Sequence, residues 1–347
     1  MTSSKKHILI PAALVAVLLL GLVARKAWNF YYDRKVPNFS KTTELYVRPG
    51  TTAASLERYI LDSCAVRSAV SFRRAFKEAA GGEDPRPGHY TITDGNTSAY
   101  VARMLARGWQ TPVKLVLSGT MRQQGAIARK ISNQMMLDSV DVIRALRDSA
   151  LLAGYGFTRE DVFGLFVPDT YEVYWTASMK DILDRQKEAY DAFWTDANKE
   201  KARLLGLSQK EVSVLASIVG GETNYEPEMA TIAGVYLNRL RIGMPLQADP
   251  TVAYCFDYQI TRVLKKHLEV DSPFNTYKHT GLPPAPIAVP SRSCLHAVLN
   301  PDRRAYFYFC ASPEFDGTHR FAATLTEHNR NAAAYQRALT LRQRTGR

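Results

Sequence analysis

The chain has 347 residues, enough for two ordinary domains or one large one. Apolar residues make up 46% and charged residues 22%, which excludes wholesale disorder, and four cysteines without a CxxC spacing exclude a disulfide-built or zinc-ribbon fold. Lys and Arg (45) outnumber Asp and Glu (33) by 12, a surplus suited to nucleic acid, an anionic membrane surface or an acidic envelope polymer.

Ile8 to Ala24 run without a charge between Lys5-Lys6 and Arg25-Lys26. As a helix at 1.5 Å per residue this run spans about 26 Å, within the range of one membrane crossing. Trp28, Tyr31 and Tyr32 follow it, as an interfacial aromatic belt would. No small-x-small cleavage site closes the run, so an uncleaved anchor at 8–24 is expected after a short tail at 1–7. A single anchor leaves everything behind it on one side of the membrane. Nucleic acid therefore drops out as the reason for the basic surplus.

Residues 44–117 read as a small α+β module. Leu45-Tyr46-Val47 is a strand running into Pro49-Gly50, and a helical stretch is expected from about Ala54 to Ala80, closed by Gly81-Gly82. His89 to Thr93 is a second strand, ending at Asp94-Gly95. A helix over Ser98 to Arg107 and a strand over Val113 to Leu117 complete it. It carries no catalytic constellation, and a spacer or polymer-binding role is the plain reading.

Residues 120–206 are expected to be mainly helical. Ser178 with Asp181 can cap a helix whose Met179, Ile182, Leu183, Tyr190, Phe193 and Trp194 share one face, a pattern of core packing. Leu165 to Tyr171 is turn-like.

A capping box at Ser208 and Glu211 opens the next helix, with Val212, Leu215, Ala216 and Val219 on its buried face. Gly220-Gly221 is expected to stop it, placing Glu222 in the elbow before a second helix from about Pro227 to Leu240. The negative end of a helix dipole and apolar neighbours would both raise the pKa of Glu222, which suits a general acid. A solvated loop glutamate is the competing reading. Two further segments, Met244 to Val252 and Asn275 to Ile287, set amide, hydroxyl and aromatic groups on proline-stiffened loops. Such groups suit a sugar-binding groove, Asn and Gln bonding hydroxyls and Tyr covering apolar sugar faces. Ala305 to Phe309 reads as a buried strand with Thr318 to Phe321 as its hairpin partner. Cys255, Cys294 and Cys310 are open to either pairing or burial as thiols.

Taken together, Ala216-Ser217-Ile218-Val219-x-x-Glu222-Thr223, Asn238-Arg239-Leu240, Leu246 to Val252, Asn275-Thr276-Tyr277, Gly281 to Ile287 and the Phe166 to Tyr171 segment resemble the endolytic murein transglycosylase, or YceG-like, family. The resemblance implies an α+β architecture: an N-terminal transmembrane helix, a LysM-like module at 44–117 and a mixed α+β catalytic domain at 118–345. It implies a single-pass protein of the bacterial inner membrane, with residues 1–7 cytoplasmic and the catalytic domain on the periplasmic side. The implied substrate is nascent peptidoglycan glycan strands, cut to leave 1,6-anhydro-N-acetylmuramic acid ends. Glu222 is the implied catalytic residue. Thr223, Asn238, Gln247, Asp249, Thr251, Asn275, Thr276 and Tyr277 are the expected substrate-binding residues. No metal or cofactor is expected, and peptidoglycan synthases are candidate partners.

Two positions depart from the family pattern. Gly220 stands where a further Glu is usual, and Ala285 replaces Gly in the Pro-Pro-Gly-Pro run. Glu222 is thus the only acid in its motif. In a lytic transglycosylase the C6 hydroxyl of the sugar attacks C1, whereas a hydrolase needs a second carboxylate, for which Glu226, Glu228 and Asp249 are available. A hydrolytic muramidase and a non-catalytic peptidoglycan-binding scaffold are the alternative readings.

Overall fold

A computed structural model describes residues 4–345, so part of the tail expected at 1–7 lies outside the described residues. The chain divides into two compact units. One takes the chain up to Val113 together with Glu172–Thr176, and the other takes Lys114–Tyr171 and the chain from Ala177 onward.

The first unit starts with the long helix α1 (Ser4–Lys35), of which Leu14–Lys35 is long and apolar enough, by length and composition, to cross a membrane. Its last turns dock rather than dangle. Asp33 is buried (2% exposed) and accepts two bonds from Arg74, at 2.6 and 2.5 Å, and one from Ser71 at 2.6 Å. Then come β1 (Thr43–Val47), α2 (Ala53–Ser63), α3 (Ala69–Ala80), β2 (Gly88–Ile92) and α4 (Ser98–Arg107). β1 and β2 pair antiparallel, Thr43 opposite Ile92 and Val47 opposite Gly88. Leu45, Val47, Ile60, Phe72, Tyr90 and Leu105 fill the core beneath them. The single helix expected over 54–80 is two helices. Ala65 sits in the left-handed region (φ 51°), and Ser68 starts α3 by accepting the N–H of Ser71, a cap that the apolar periodicity masks.

The second unit is mostly helical. Most of β3 (Val113–Leu117) and β4 (Asp169–Val173) lies in it, with α5 (Gln124–Ser132), α6 (Ser139–Leu146), α7 (Ser149–Ala153), α8 (Met179–Phe193) and α9 (Asp196–Leu204). There follow α10 (Gln209–Glu222), α11 (Glu226–Arg241), α12 (Asp249–Cys255), α13 (Arg292–Leu299), β5 (Tyr308–Ala311), β6 (His319–Ala322) and α14 (Leu325–Thr345). β3 pairs with β4, so the expected turn at Leu165 to Tyr171 is a 3-10 turn (Val162–Leu165) followed by a strand. Both capping boxes form, Ser178 with Asp181 and Ser208 with Glu211. The α8 stripe from Met179 to Trp194 is buried as core. β5 and β6 form the expected hairpin, Tyr308 opposite Ala322, although β5 is half-buried rather than buried. All four cysteines are free, with Cys294 packed against Met229 and Ser291.

Candidate active site

The expected helix stop at Gly220-Gly221 is absent. Both glycines are helical, α10 runs through them to Glu222, and Thr223 ends it in an extended conformation. Close packing explains the pair. A Cβ on Gly221 would lie 2.6 Å from Cβ of Pro250, and one on Gly220 would lie 3.0 Å from Sγ of Cys294. Pro250 belongs to the first turn of α12, a position proline tolerates because its missing N–H is not needed there. The segment from Met244 to Val252 is therefore not all loop. The bare Gly221 backbone lets the start of α12 seat against the end of α10, which brings the charge of Asp249 within reach of Glu222.

Glu222 is partly exposed. Tyr236 of α11, itself 1% exposed, donates its hydroxyl to Oε1 of Glu222 at 2.5 Å. Burial pushes the Glu222 carboxyl from its ordinary 4.5 up to about 7. The Tyr236 hydrogen bond works against this rise, the charge of Asp249 adds to it, and the nearby Arg239 opposes it. At neutral pH such a carboxyl is about half protonated, and it can both give and take a proton.

Arg239 is buried (7% exposed) and stitches separate segments together. Its Nε donates to the carbonyl of Phe307 at 2.7 Å and its Nη1 to that of Leu246 at 2.7 Å, with the guanidinium 5.5 Å from the Tyr308 ring. It thereby fixes the approach to Gln247 and places a positive charge beside Glu222, which favours the ionised carboxylate once its proton has gone.

The expected substrate-binding residues fall into two groups. Asn275 is fully buried, with both amide protons on the carbonyls of Leu268 and Val270 (2.9 Å each) and its Oδ1 accepting the N–H of Tyr277 at 3.1 Å. Thr251 and Thr276 are buried hydroxyls 2.8 Å apart, and they bind the carbonyl and N–H of Ala248 at 2.7 and 3.0 Å. Asn238 donates to the carbonyls of Arg304 and Tyr306 at 3.0 and 2.9 Å. These four spend their polar groups on the fold. Gln247 and Asp249 are exposed and Tyr277 half-buried, Tyr277 donating to Asp249 Oδ1 at 2.6 Å. Gln247 is held in the left-handed region (φ 48°), with its N–H on the carbonyl of Thr276 at 3.1 Å. Thr223 is buried and accepts the N–H of Tyr225 at 2.9 Å, turning the chain toward α11.

Two other carboxylates are engaged elsewhere. Glu228 accepts the N–H and meets Nδ1 of His319, both at 2.9 Å, and Glu226 accepts the Ser293 hydroxyl at 2.5 Å. Asp249 is the acid that acts on Glu222. The proline loop lies largely apart from them. Gly281 to Pro284 line a cavity of about 650 Å³ with Glu211 at the opposite end of α10, while the Ile287 N–H reaches Ser217 at 3.0 Å. Among the described residues no cluster of His, Cys, Asp and Glu could hold a metal ion.

Neither Tyr236 nor the role of Arg239 is legible in the sequence. Their partners lie across a tertiary contact, and the legible signal was only a tyrosine and an arginine three residues apart on one helix.

The sign of each influence on Glu222 can be checked directly. Tyr236→Phe removes a bond to the carboxylate and should raise the Glu222 pKa above about 7, whereas Asp249→Asn removes a like charge and should lower it. Carbon-detected NMR titration of the Glu222 carboxyl measures both, and shifts of the same sign would contradict this electrostatic picture.

The YceG-like family model matches residues 45–334. An endolytic murein transglycosylase of Bacillus subtilis is 29% identical over 315 residues, spanning 85% of this chain and 86% of that protein. One from Streptococcus pneumoniae is 27% identical over 180 residues, spanning 50% of this chain and 32% of that protein. A crystal structure of a YceG-like protein from Listeria monocytogenes superposes with a TM-score of 0.55 at 26% identity, covering 84% of this chain and 99% of that one.

Proposed function

The chain belongs to the YceG-like family, and from that premise we propose that it is a membrane-anchored endolytic murein transglycosylase. It is a lyase that cuts the bond between N-acetylmuramic acid and N-acetylglucosamine in nascent glycan strands and so limits their length. The observation that carries this reading is Glu222, a carboxyl raised to about 7 and held by Tyr236 at the open end of α10.

Protonated Glu222 donates to the glycosidic oxygen as the C1–O bond breaks and oxocarbenium character develops at C1. The C6 hydroxyl of the same muramic acid then bonds to C1 and gives its proton to the ionised Glu222. The cycle closes with the acid restored, and no second carboxylate is needed. On this reading Gln247, Asp249 and Tyr277 flank the sugar, while Thr223, Asn238, Thr251, Asn275 and Thr276 hold that shape from behind.

The wider arrangement follows the same reading. Residues 1–7 are a cytoplasmic tail, 8–24 cross the inner membrane, 44–117 form a LysM-like module, and 118–345 form the catalytic domain on the periplasmic side, where peptidoglycan synthases are available as partners. A hydrolytic muramidase is the second reading, favoured by the exposed Asp249 carboxylate acting on Glu222. Mass spectrometry of muropeptides released from purified strands decides between them. Ends lighter by one water, the anhydro form, are expected, and reducing muramic acid ends would establish the hydrolase.

A further inference from the structure

We propose that a basic cavity beside the start of α5 binds the free carboxylates of the peptide stem carried by the muramic acid at the cut, through Arg122, Arg147 and Arg159. The proposal rests on the function above and adds a specificity site to it.

The cavity measures about 700 Å³ and is lined by these three arginines with Gln124, Tyr254 and Tyr258. Among the described residues none of the three guanidiniums has a carboxylate within ion-pair distance. Arg122 lies over the Tyr258 ring at 5.0 Å, and Arg147 donates to Gln124 Oε1 at 3.2 Å. The N-cap of α5, Gln123, makes no side-chain cap, so the first amides of that helix add their positive end to the cavity. Glu160 and Asp257 also line it, leaving three guanidiniums against two carboxylates. That mixture suits a peptide with an excess of carboxylates and a free amine, and arginine forks recognise carboxylates through paired bonds.

Position ties the cavity to the cut. A smaller cavity of about 170 Å³ shares Arg122 and Tyr258 with it and is also lined by Gly221, Thr223 and Asn224. Phe163 lines the basic cavity, and its 3-10 turn packs on α10 beside Ser213. From Ser213 to Glu222 is nine residues, or about 13.5 Å along the helix. Four residues of extended peptide span at most about 14 Å. A stem attached to the sugar at Glu222 is thus long enough to extend along α10 as far as that turn, at the edge of the cavity.

The test uses the full-length protein and a synthetic stem tetrapeptide, once with free carboxylates and once amidated. Calorimetric binding should favour the free acid, and the Arg147→Gln/Arg159→Gln double variant should weaken it about tenfold or more, as loss of two charge-assisted contacts predicts. Lysines at both positions should restore part of the affinity. On strands bearing stems the double variant should raise KM with kcat unchanged, and on strands stripped of stems it should change neither. Equal affinity of the double variant and the wild type for the free acid, or equal losses on both kinds of strand, would overturn the proposal. Peptide binding is read without turnover, so intact binding with uncut strands would overturn the transglycosylase reading alone.

Discussion

Glu222→Gln should abolish strand cleavage, by roughly 10²–10⁴-fold at least, while leaving the fold intact. The amide is nearly isosteric and can still accept the Tyr236 hydroxyl, but it has no proton to donate and cannot take one back. The same substitution carries a second signature. Between the unfolded value near 4.5 and the folded value of about 7, the folded protein holds a proton that the unfolded chain has lost. Stability therefore falls as pH rises through that window, and the loss is complete above it. Glutamine carries no such dependence, so the variant should exceed the wild type in stability above pH 7 by roughly 1–3 kcal/mol, a range discounted for the partial exposure of the carboxyl. Urea unfolding at pH 5 and pH 8 reads the difference. Near-wild-type turnover by the folded variant would move the catalytic acid elsewhere.

Gly221→Ala should damage both stability and rate, without touching a charged group. The added methyl would sit 2.6 Å from Cβ of Pro250, and both neighbours belong to helices that cannot yield locally. Relief requires α12 to move away from the end of α10, at a cost of about 1–3 kcal/mol for overpacking. That movement carries Asp249 and its Tyr277 bond away from Glu222, so the rate should fall by more than the stability loss explains. Gly220→Ala, which meets only the Cys294 thiol at 3.0 Å, should be milder on both counts. Chemical denaturation and initial rates at a temperature where both variants remain folded check the ranking, and equal effects at the two positions would refute the packing argument.

Much of the fold was legible because it is encoded locally. The two capping boxes, the helix at Ser98–Arg107, the strand at Val113–Leu117 and the buried stripe of α8 all declare themselves within one or two turns. What misled was punctuation whose meaning depends on distant contacts. Gly220-Gly221 reads as a helix end in isolation, yet close approach by Pro250 and Cys294 selects glycine there inside a helix. Pro250 reads as a loop residue, yet it sits in the first turn of α12. The polar helix Leu325–Thr345 shows too weak an apolar stripe to stand out, and the break at Ala65 hides within continuous periodicity. At the site, Glu222 could be found from its place at the end of an apolar helix. Its hydrogen-bond donor Tyr236 and the spent amides of Asn275 and Asn238 could not, because each depends on a partner supplied by tertiary packing.

In the proposed reaction Glu222 serves as acid and then base while the sugar supplies its own nucleophile. Cleavage of purified glycan strands in water enriched in heavy oxygen, followed by mass spectrometry of the new muramic ends, measures this directly. Anhydro ends without heavy oxygen are expected, since no water oxygen enters the bond at C1. Heavy oxygen at C1 of most ends formed by the wild-type protein would contradict it and assign Asp249 the placement of an attacking water.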